Sequence, residues 1–249
     1  MSSLKDKVAI ITGASSGIGR ATALLFASEG AAVVLNARNE AGLEQVASKI
    51  RELGGQAHCV AGDVSQMETH ETLVTAAQKE FGRLDIAFNN AGIVGPICPL
   101  TEASLEDWNN VIAGNLTAAF LGAKLQIPSM LKSGGGSIIF TSTFVGTSVG
   151  IPGMSLYGAA KAGLMGLVKG ITADYGSRGI RANALLPGGV DTPMAGGDAQ
   201  KEWAAGLHAM KRIAQPEEIA QAALFLAGPM ASFVTGSALY ADGGNSAVK

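Results

Sequence analysis

A tyrosine and a lysine stand four residues apart in the run YGAAK, Tyr157 to Lys161, with only Gly158, Ala159 and Ala160 between them. On a helix, positions i and i+4 share one face, and the small intervening residues leave that face open. A phenol beside an ammonium is a poor packing surface and a good device for moving a proton. A free tyrosine titrates near about 10, too high for a base at neutral pH, and an adjacent ammonium favours the phenolate. Lowering that value by roughly 3 units takes about 4 kcal/mol of differential stabilisation. Two cations in a partly dry pocket can supply this; one exposed pair in water cannot. Tyr157 is therefore the candidate acid/base and Lys161 its electrostatic partner.

The second run that could do chemistry is IITGASSGIGRATALLFASEG, residues 10–30. Gly13 allows a tight turn, Gly17 removes the side chain that would keep a backbone off a pyrophosphate, and Gly19 lets helix and strand pack closely. The following helix N-terminus offers free N–H groups and a positive dipole end to phosphates, and Ser15 and Ser16 add hydroxyl donors. The spacing is G-x-x-x-G-x-G rather than the G-x-G-x-x-G of the common dinucleotide fingerprint. Further on, VVLNARNE ends the next apolar run. An acid there would bind the 2′-hydroxyl of NAD and repel a 2′-phosphate, whereas an arginine accommodates the phosphate. Ala37 occupies the acidic position and Arg38 follows, so NADP(H) is favoured and NAD(H) stays open.

Elements that could position these groups alternate along the chain. Residues 8–12, 32–36, 56–60, 84–89, 137–142 and 180–186 read as strands, the first five as near-continuous apolar runs covered on both faces. Helical patterns lie between them, over 18–29, 40–53, 66–81, 103–131, 155–176 and 216–227. This alternation predicts parallel βαβ units in an α/β protein, a Rossmann-type doubly wound parallel sheet with helices on both faces. Residues 1–249 read as a single domain in which 191–212 forms a helical substrate flap. Met194, Trp203, Leu207 and Met210 would make that flap an apolar lid. The formal net charge of −2 suggests neither a nucleic-acid nor an anionic-membrane partner. No apolar run is long enough for a membrane span. MSSLKDK leads straight into an apolar strand without a signal-peptide core, which predicts a cytoplasmic protein. Cys59 and Cys98 read as reduced thiols. His58, His70 and His208 have no metal-ligand spacing, so no metal site is expected, and His208 reads as a solvated helix residue.

Together these runs resemble the short-chain dehydrogenase/reductase family. TGASSGIG, which carries Ile18, matches its cofactor loop, and NNAG (89–92) the motif closing its fourth strand. YGAAK matches its Tyr-x-x-x-Lys, LLPGGVDTPM (185–194) its Pro-Gly segment, and YADGG its last strand and turn. The resemblance spans essentially the whole chain in order. It implies an NAD(P)(H)-dependent oxidoreductase interconverting a secondary alcohol and a ketone, with Tyr157 as acid/base and Lys161 also holding the nicotinamide ribose. Asp63 and Val64 would contact the adenine, and Asn89, Ala91 and Gly92 would line the cofactor. Pro187, Gly188, Val190 and Thr192 would bound the carboxamide, and Asn115 would distort its helix and position a water. The family's catalytic serine ends strand five. Here strand register points to Thr143, and a bulged strand end would present Ser142; both are carried, with Ser142 preferred. A homotetramer using helices 103–131 and 155–176 and the last strand is implied as well. Sugar or polyol dehydrogenation, 3-oxoacyl thioester reduction and, outside enzymes, a nucleotide-sensing regulator are the alternatives.

Overall fold

A computed structural model describes residues 3–248. Its apolar runs form β1 Val8–Thr12, β2 Ala32–Ala37, β3 Gln56–Ala61, β4 Ile86–Asn89, β5 Gly136–Thr141, β6 Ile180–Pro187 and β7 Ala238–Ala241. These pair in the order β3-β2-β1-β4-β5-β6-β7, every neighbour parallel. The order reverses between β1 and β4, which is where an open parallel sheet leaves a crevice beyond its carboxyl ends.

The helices are α1 Gly17–Ser28, α2 Glu40–Glu52, α3 Met67–Phe81, α4 Leu105–Ile112, α5 Ala118–Lys132, α6 Ser155–Tyr175, α7 Asp198–Leu207 and α8 Pro216–Ala227. Side chains alternate along a strand, so Ile10 and Ile11 enter opposite layers. Ile11 and Phe88 pack with Phe26, Leu43 and Leu226 beneath α1, α2 and α8. Ile10 and Phe140 pack with Leu73, Ile127 and Leu164 beneath α3, α5 and α6. The two-sided burial expected of the strands holds for β1, β2 and β4. In β3 only Val60 is buried, because β3 is an edge of the sheet.

The helix expected over 103–131 is interrupted. Ser104 opens α4 with a reciprocal cap: its hydroxyl accepts from the Asp107 N–H at 3.0 Å and the Asp107 carboxylate accepts from the Ser104 N–H at 3.0 Å. At Ala113–Thr117 the chain makes a π turn before α5. The cause is local: the Asn115 side-chain amide donates to the Val111 carbonyl at 2.8 Å, taking the acceptor that its own backbone N–H would use in an α-helix.

Residues 191–212 hold a 3-10 turn at Pro193–Ala195 and then α7. Lys201 on α7 pairs with Asp191 at 2.7 Å. His208, expected to be solvated, is buried. Its Nε2 accepts from the Gly189 N–H at 2.9 Å and its Nδ1 donates to the Ala204 carbonyl at 2.6 Å, so it ties the end of α7 to the turn after β6. No helix among the described residues is long and apolar enough to cross a membrane.

Removing the cap that starts α4 should register as a loss of stability alone. Ser104→Ala is expected to cost about 1 kcal/mol, read as a lower urea midpoint with an unchanged denaturant slope.

Candidate active site

The carboxyl ends of the strands frame a cavity of about 1040 Å³. It begins at the glycine turn after β1. Gly13 has φ +68°, a conformation that favours glycine, and a Cβ there would lie 2.9 Å from the Asn90 side chain. A Cβ on Gly19 would lie 2.2 Å from the Gly13 carbonyl oxygen, so strand and helix are in contact through bare backbone. Ser16 precedes α1 without capping it, and the first turn contains no acid. The first-turn N–H groups and the positive helix end are thus open where Gly17 and Ile18 line the cavity. A diphosphate fits this chemistry and this absence of side chains.

Beyond the turn, Ala37 is buried, and Arg38 stands exposed on the cavity wall. Asp63 and Val64, in the turn between β3 and α3, line the same end. The Ser65 backbone N–H, 2.8 Å from Asp63 Oδ1, is the main reason the Asp63 carboxyl lies below its ordinary range; burial opposes this and the Arg38 charge adds to it.

Two adjacent asparagines at the end of β4 have different fates. Asn89 shares its face of the strand with Ala87 and is buried against α5. It exchanges two hydrogen bonds with Gln126, at 2.9 and 3.0 Å. The expectation that Asn89 lines the cofactor is therefore corrected: strand alternation turns it away from the cavity. Asn90 takes that place. Its side-chain amide donates to the Thr12 carbonyl at 3.1 Å and its Oδ1 accepts from the Thr141 hydroxyl at 3.1 Å. The Thr12 hydroxyl in turn accepts from the N–H groups of Asn90 and Ala91 at 2.9 and 3.0 Å. Asn90, Thr12 and Thr141 lock the ends of β1, β4 and β5 together, and the sequence reading missed all three. Period-two alternation through Ala87 and Asn89 was the available signal for Asn90.

Tyr157 and Lys161 lie in the first turns of α6, as their spacing required. The Lys161 ammonium is buried and donates to the Thr141 carbonyl at 2.7 Å; it lies 5.8 Å from the centre of the Tyr157 ring. Burial pushes the lysine down to about 8. Burial likewise pushes the Tyr157 phenol up to about 12, and the nearby Thr143 hydroxyl opposes this. At neutral pH the pair is therefore a neutral phenol beside a cation. Ser142 and Thr143, the two hydroxyls carried from the sequence, both line the cavity with different partners. Ser142 Oγ donates to the Lys161 carbonyl at 2.9 Å and so helps hold α6, while the Thr143 hydroxyl acts on the phenol. Asn115 reaches the site indirectly: its side chain accepts from the Ile93 N–H at 3.2 Å and donates to the Ile93 carbonyl at 2.8 Å. Gly92 is required by these contacts, since a Cβ there would meet Asn115 Oδ1 at 2.5 Å and Lys161 Nζ at 3.0 Å.

Of the catalytic and cofactor-binding candidates from the sequence, all but Gly19, Asn89 and Asn115 line this one cavity. Pro187, Gly188, Val190 and Thr192 form the wall after β6, and Met194, Trp203 and Leu207 of the flap close the far end. Met210 is exposed and outside it. Among the described residues no cluster of side chains could hold a metal.

A family model described as enoyl-(acyl carrier protein) reductase matches residues 13–246. The cyclohexanol dehydrogenase of Acinetobacter sp. (strain SE19) is 42% identical over 96% of this chain and 94% of its own. The cis-4-hydroxycyclohexanecarboxylate dehydrogenase of Sinomonas cyclohexanicum is 42% identical over 98% of each chain. A solved structure from Sinorhizobium meliloti 1021, a candidate short-chain alcohol dehydrogenase, superposes with a TM-score of 0.93 at 32% identity, covering 100% of this chain and 99% of that one. With a nucleotide-shaped crevice and a Tyr–Lys pair already in place, the chain belongs to the short-chain dehydrogenase/reductase family. It is an oxidoreductase of the secondary alcohol–ketone pair that uses NAD(P)(H).

The Asn89–Gln126 exchange gives a sharp test of the corrected assignment. Gln126→Leu leaves the buried Asn89 amide without its partner and should destabilise the fold by about 1–3 kcal/mol. The KM for cofactor should stay within twofold, because neither side chain reaches the cavity.

Proposed function

We propose that the protein interconverts a neutral, largely apolar cyclic secondary alcohol and its ketone, with Tyr157 exchanging the proton, Thr143 holding the substrate oxygen and NADP(H) preferred over NAD(H). The observation that carries this reading is the cavity-lining Tyr157 phenol, with the Thr143 hydroxyl and the buried Lys161 ammonium around it. These groups stand between a phosphate-binding turn and an apolar pocket.

The nicotinamide cofactor, when bound, supplies or takes the hydride; the protein handles the proton. Gly13, Ser15, Ser16, Gly17 and the start of α1 would bind its diphosphate, and Asp63 and Val64 its adenine. In reduction, the neutral phenol of Tyr157 donates to the carbonyl oxygen that Thr143 also holds. The nearby Lys161 ammonium stabilises the phenolate left behind. In oxidation the same groups act in reverse, with the phenolate as base. Asn115 holds Ile93 and the turn that contains Gly92, and so fixes the wall against which Lys161 rests.

The substrate reading rests on the far end of the cavity. Ile97, Ile151, Met154, Met194, Trp203 and Leu207 line it. The cation there, Lys201, is already paired with Asp191, which leaves little to recognise a carboxylate or a phosphate. Two relatives named for alcohols on six-membered carbon rings support the same class. A polyol would leave its hydroxyls unpaired against this wall. The NADP(H) preference is supported by Arg38 on the wall and by buried Ala37 in place of a carboxylate. Exposed Leu105, Trp108 and Phe120 on α4 and α5, and Phe233 and Tyr240 near β7, support a homotetramer, and the absence of a membrane helix among the described residues is compatible with a cytoplasmic place.

A spectrophotometric screen of cyclic alcohols and ketones with both cofactors tests the reading. Tyr157→Phe should lower kcat by about 10²–10⁴-fold while cofactor still binds. Thr143→Val should lower kcat at least tenfold, and Ser142→Ala, whose hydroxyl is bonded to the α6 backbone, should stay within a few-fold of the parent. A larger loss from Ser142→Ala than from Thr143→Val would reverse their roles.

Arg38→Ala separates the cofactors. It should raise the KM for NADP(H) by about 10- to 100-fold, the worth of one or two charge-assisted hydrogen bonds, and leave that for NAD(H) within threefold. Equal losses would remove the argument for a 2′-phosphate.

A further inference from the structure

His70 is buried on α3 at 1% exposure, and the chemistry described so far does not use it. Its Nε2 lies 2.8 Å from the Val64 carbonyl oxygen. A carbonyl can only accept, so Nε2 carries the proton and Nδ1 is bare. Nδ1 is buried and meets no partner among the described residues. An imidazole in this place therefore costs the fold something that a leucine would not. Burial lowers the His70 pKa, so the neutral ring is kept.

What the ring provides is a donor to one particular carbonyl. The turn from Gly62 to Gln66 crosses the adenine end of the cavity. Its first part is held from β2: the Asn36 side chain donates to the Gly62 carbonyl at 3.2 Å, and the Gly62 N–H donates to Ala37 at 3.1 Å. Asp63 is held within the turn by the Ser65 N–H. Val64 is held from below by His70, across the first turn of α3. On its other side the ring reaches α5 where residue 122 is glycine; a Cβ there would lie 3.3 Å from His70 Cε1. The imidazole is thus wedged between two helices with one nitrogen aimed at the turn.

We propose that His70 is a positioning residue for the cofactor: acting through the Val64 carbonyl, it sets the 63–65 turn against which the adenosine half of the dinucleotide lies. The proposal rests on the cofactor reading given above and adds a residue from outside the cavity to it. Its effect falls on binding. The Tyr157 and Lys161 end of the cavity is built from β5 and α6 and does not depend on this turn.

Calorimetry with ADP, the part shared by both cofactors, tests it on the whole protein. His70→Leu should weaken ADP at least fivefold and raise the KM for the dinucleotide by a similar factor. Its kcat should stay within twofold, and its melting temperature should not fall. His70→Gln, whose side-chain amide can again donate to Val64, should recover most of the ADP affinity. If His70→Leu does not fold, His70→Phe, which keeps a ring and lacks the donor, takes its place with the same expectation. ADP affinity within twofold of the parent in the donor-free variant overturns the proposal, as does failure of His70→Gln to recover it. A parent protein that does not bind ADP overturns the cofactor reading itself, and the two failures are told apart by that first titration.

Discussion

An ammonium held out of water is the constraint around which this site is organised. Lys161 is buried, and the cost of that burial shows in its depressed pKa, still near 8 and so still cationic at neutral pH. The Thr141 carbonyl accepts from Nζ at 2.7 Å and gives the buried ammonium a partner; a buried charge without one is costly. The neighbouring residue of the same strand end, Ser142, holds the Lys161 backbone through its carbonyl. Consecutive residues leaving β5 therefore fix the lysine at both ends, and the next, Thr143, places its hydroxyl near the phenol. One short segment divides its labour among three successive side or main chains, as the changing direction at a strand end allows.

That arrangement explains features some distance away. The lysine can reach the Thr141 carbonyl because position 92 has no side chain, and the turn containing Gly92 is held by Asn115. Asn115 can hold it because α4 and α5 are joined by a π turn rather than a continuous α-helix. A π turn gives up regular helical hydrogen bonding, and the asparagine amide compensates by serving the Val111 carbonyl. The distortion and its repair are thus one side chain. On the other side of β5, Asn90 joins Thr12 and Thr141, so the carbonyl that receives the ammonium belongs to a residue braced from β4.

The sequence showed most of this frame. Near-continuous apolar runs placed six strands, as buried parallel strands require, and their alternation with helical patterns pointed to a doubly wound sheet. The glycine turn was legible because backbone conformation and contact restrict those positions to one residue type. Tyr157 and Lys161 were legible because helical spacing makes i and i+4 neighbours. Choices between adjacent polar residues were not. Asn89 or Asn90 and Ser142 or Thr143 differ only in which way a strand end turns, and a polar side chain serves a buried partner as readily as a cavity. His208 failed for a related reason. Its surroundings in the chain are helical and exposed, and only the fold brings Gly189 against its ring. Tertiary partners, absent from local pattern, decided each of these.

Chemistry and substrate selection are carried by parts of unequal depth. The site's ammonium and phenol stand on α6 against the end of β5, and β5 lies between the buried strands β4 and β6. The pocket's far wall comes from the flap, where α7 contributes no buried residue. α7 is held to the body by the Lys201–Asp191 pair and, just past its end, by His208. An exposed ion pair contributes little to stability, so α7 can change its apolar side chains without disturbing the sheet core. Met194, Trp203 and Leu207 shape the pocket wall, whereas a side chain at position 92 would crowd the Lys161 ammonium. A fold arranged in this way keeps one reaction and admits many substrates, because the parts that must be exact are buried in the sheet layers and the parts that must vary lie outside them.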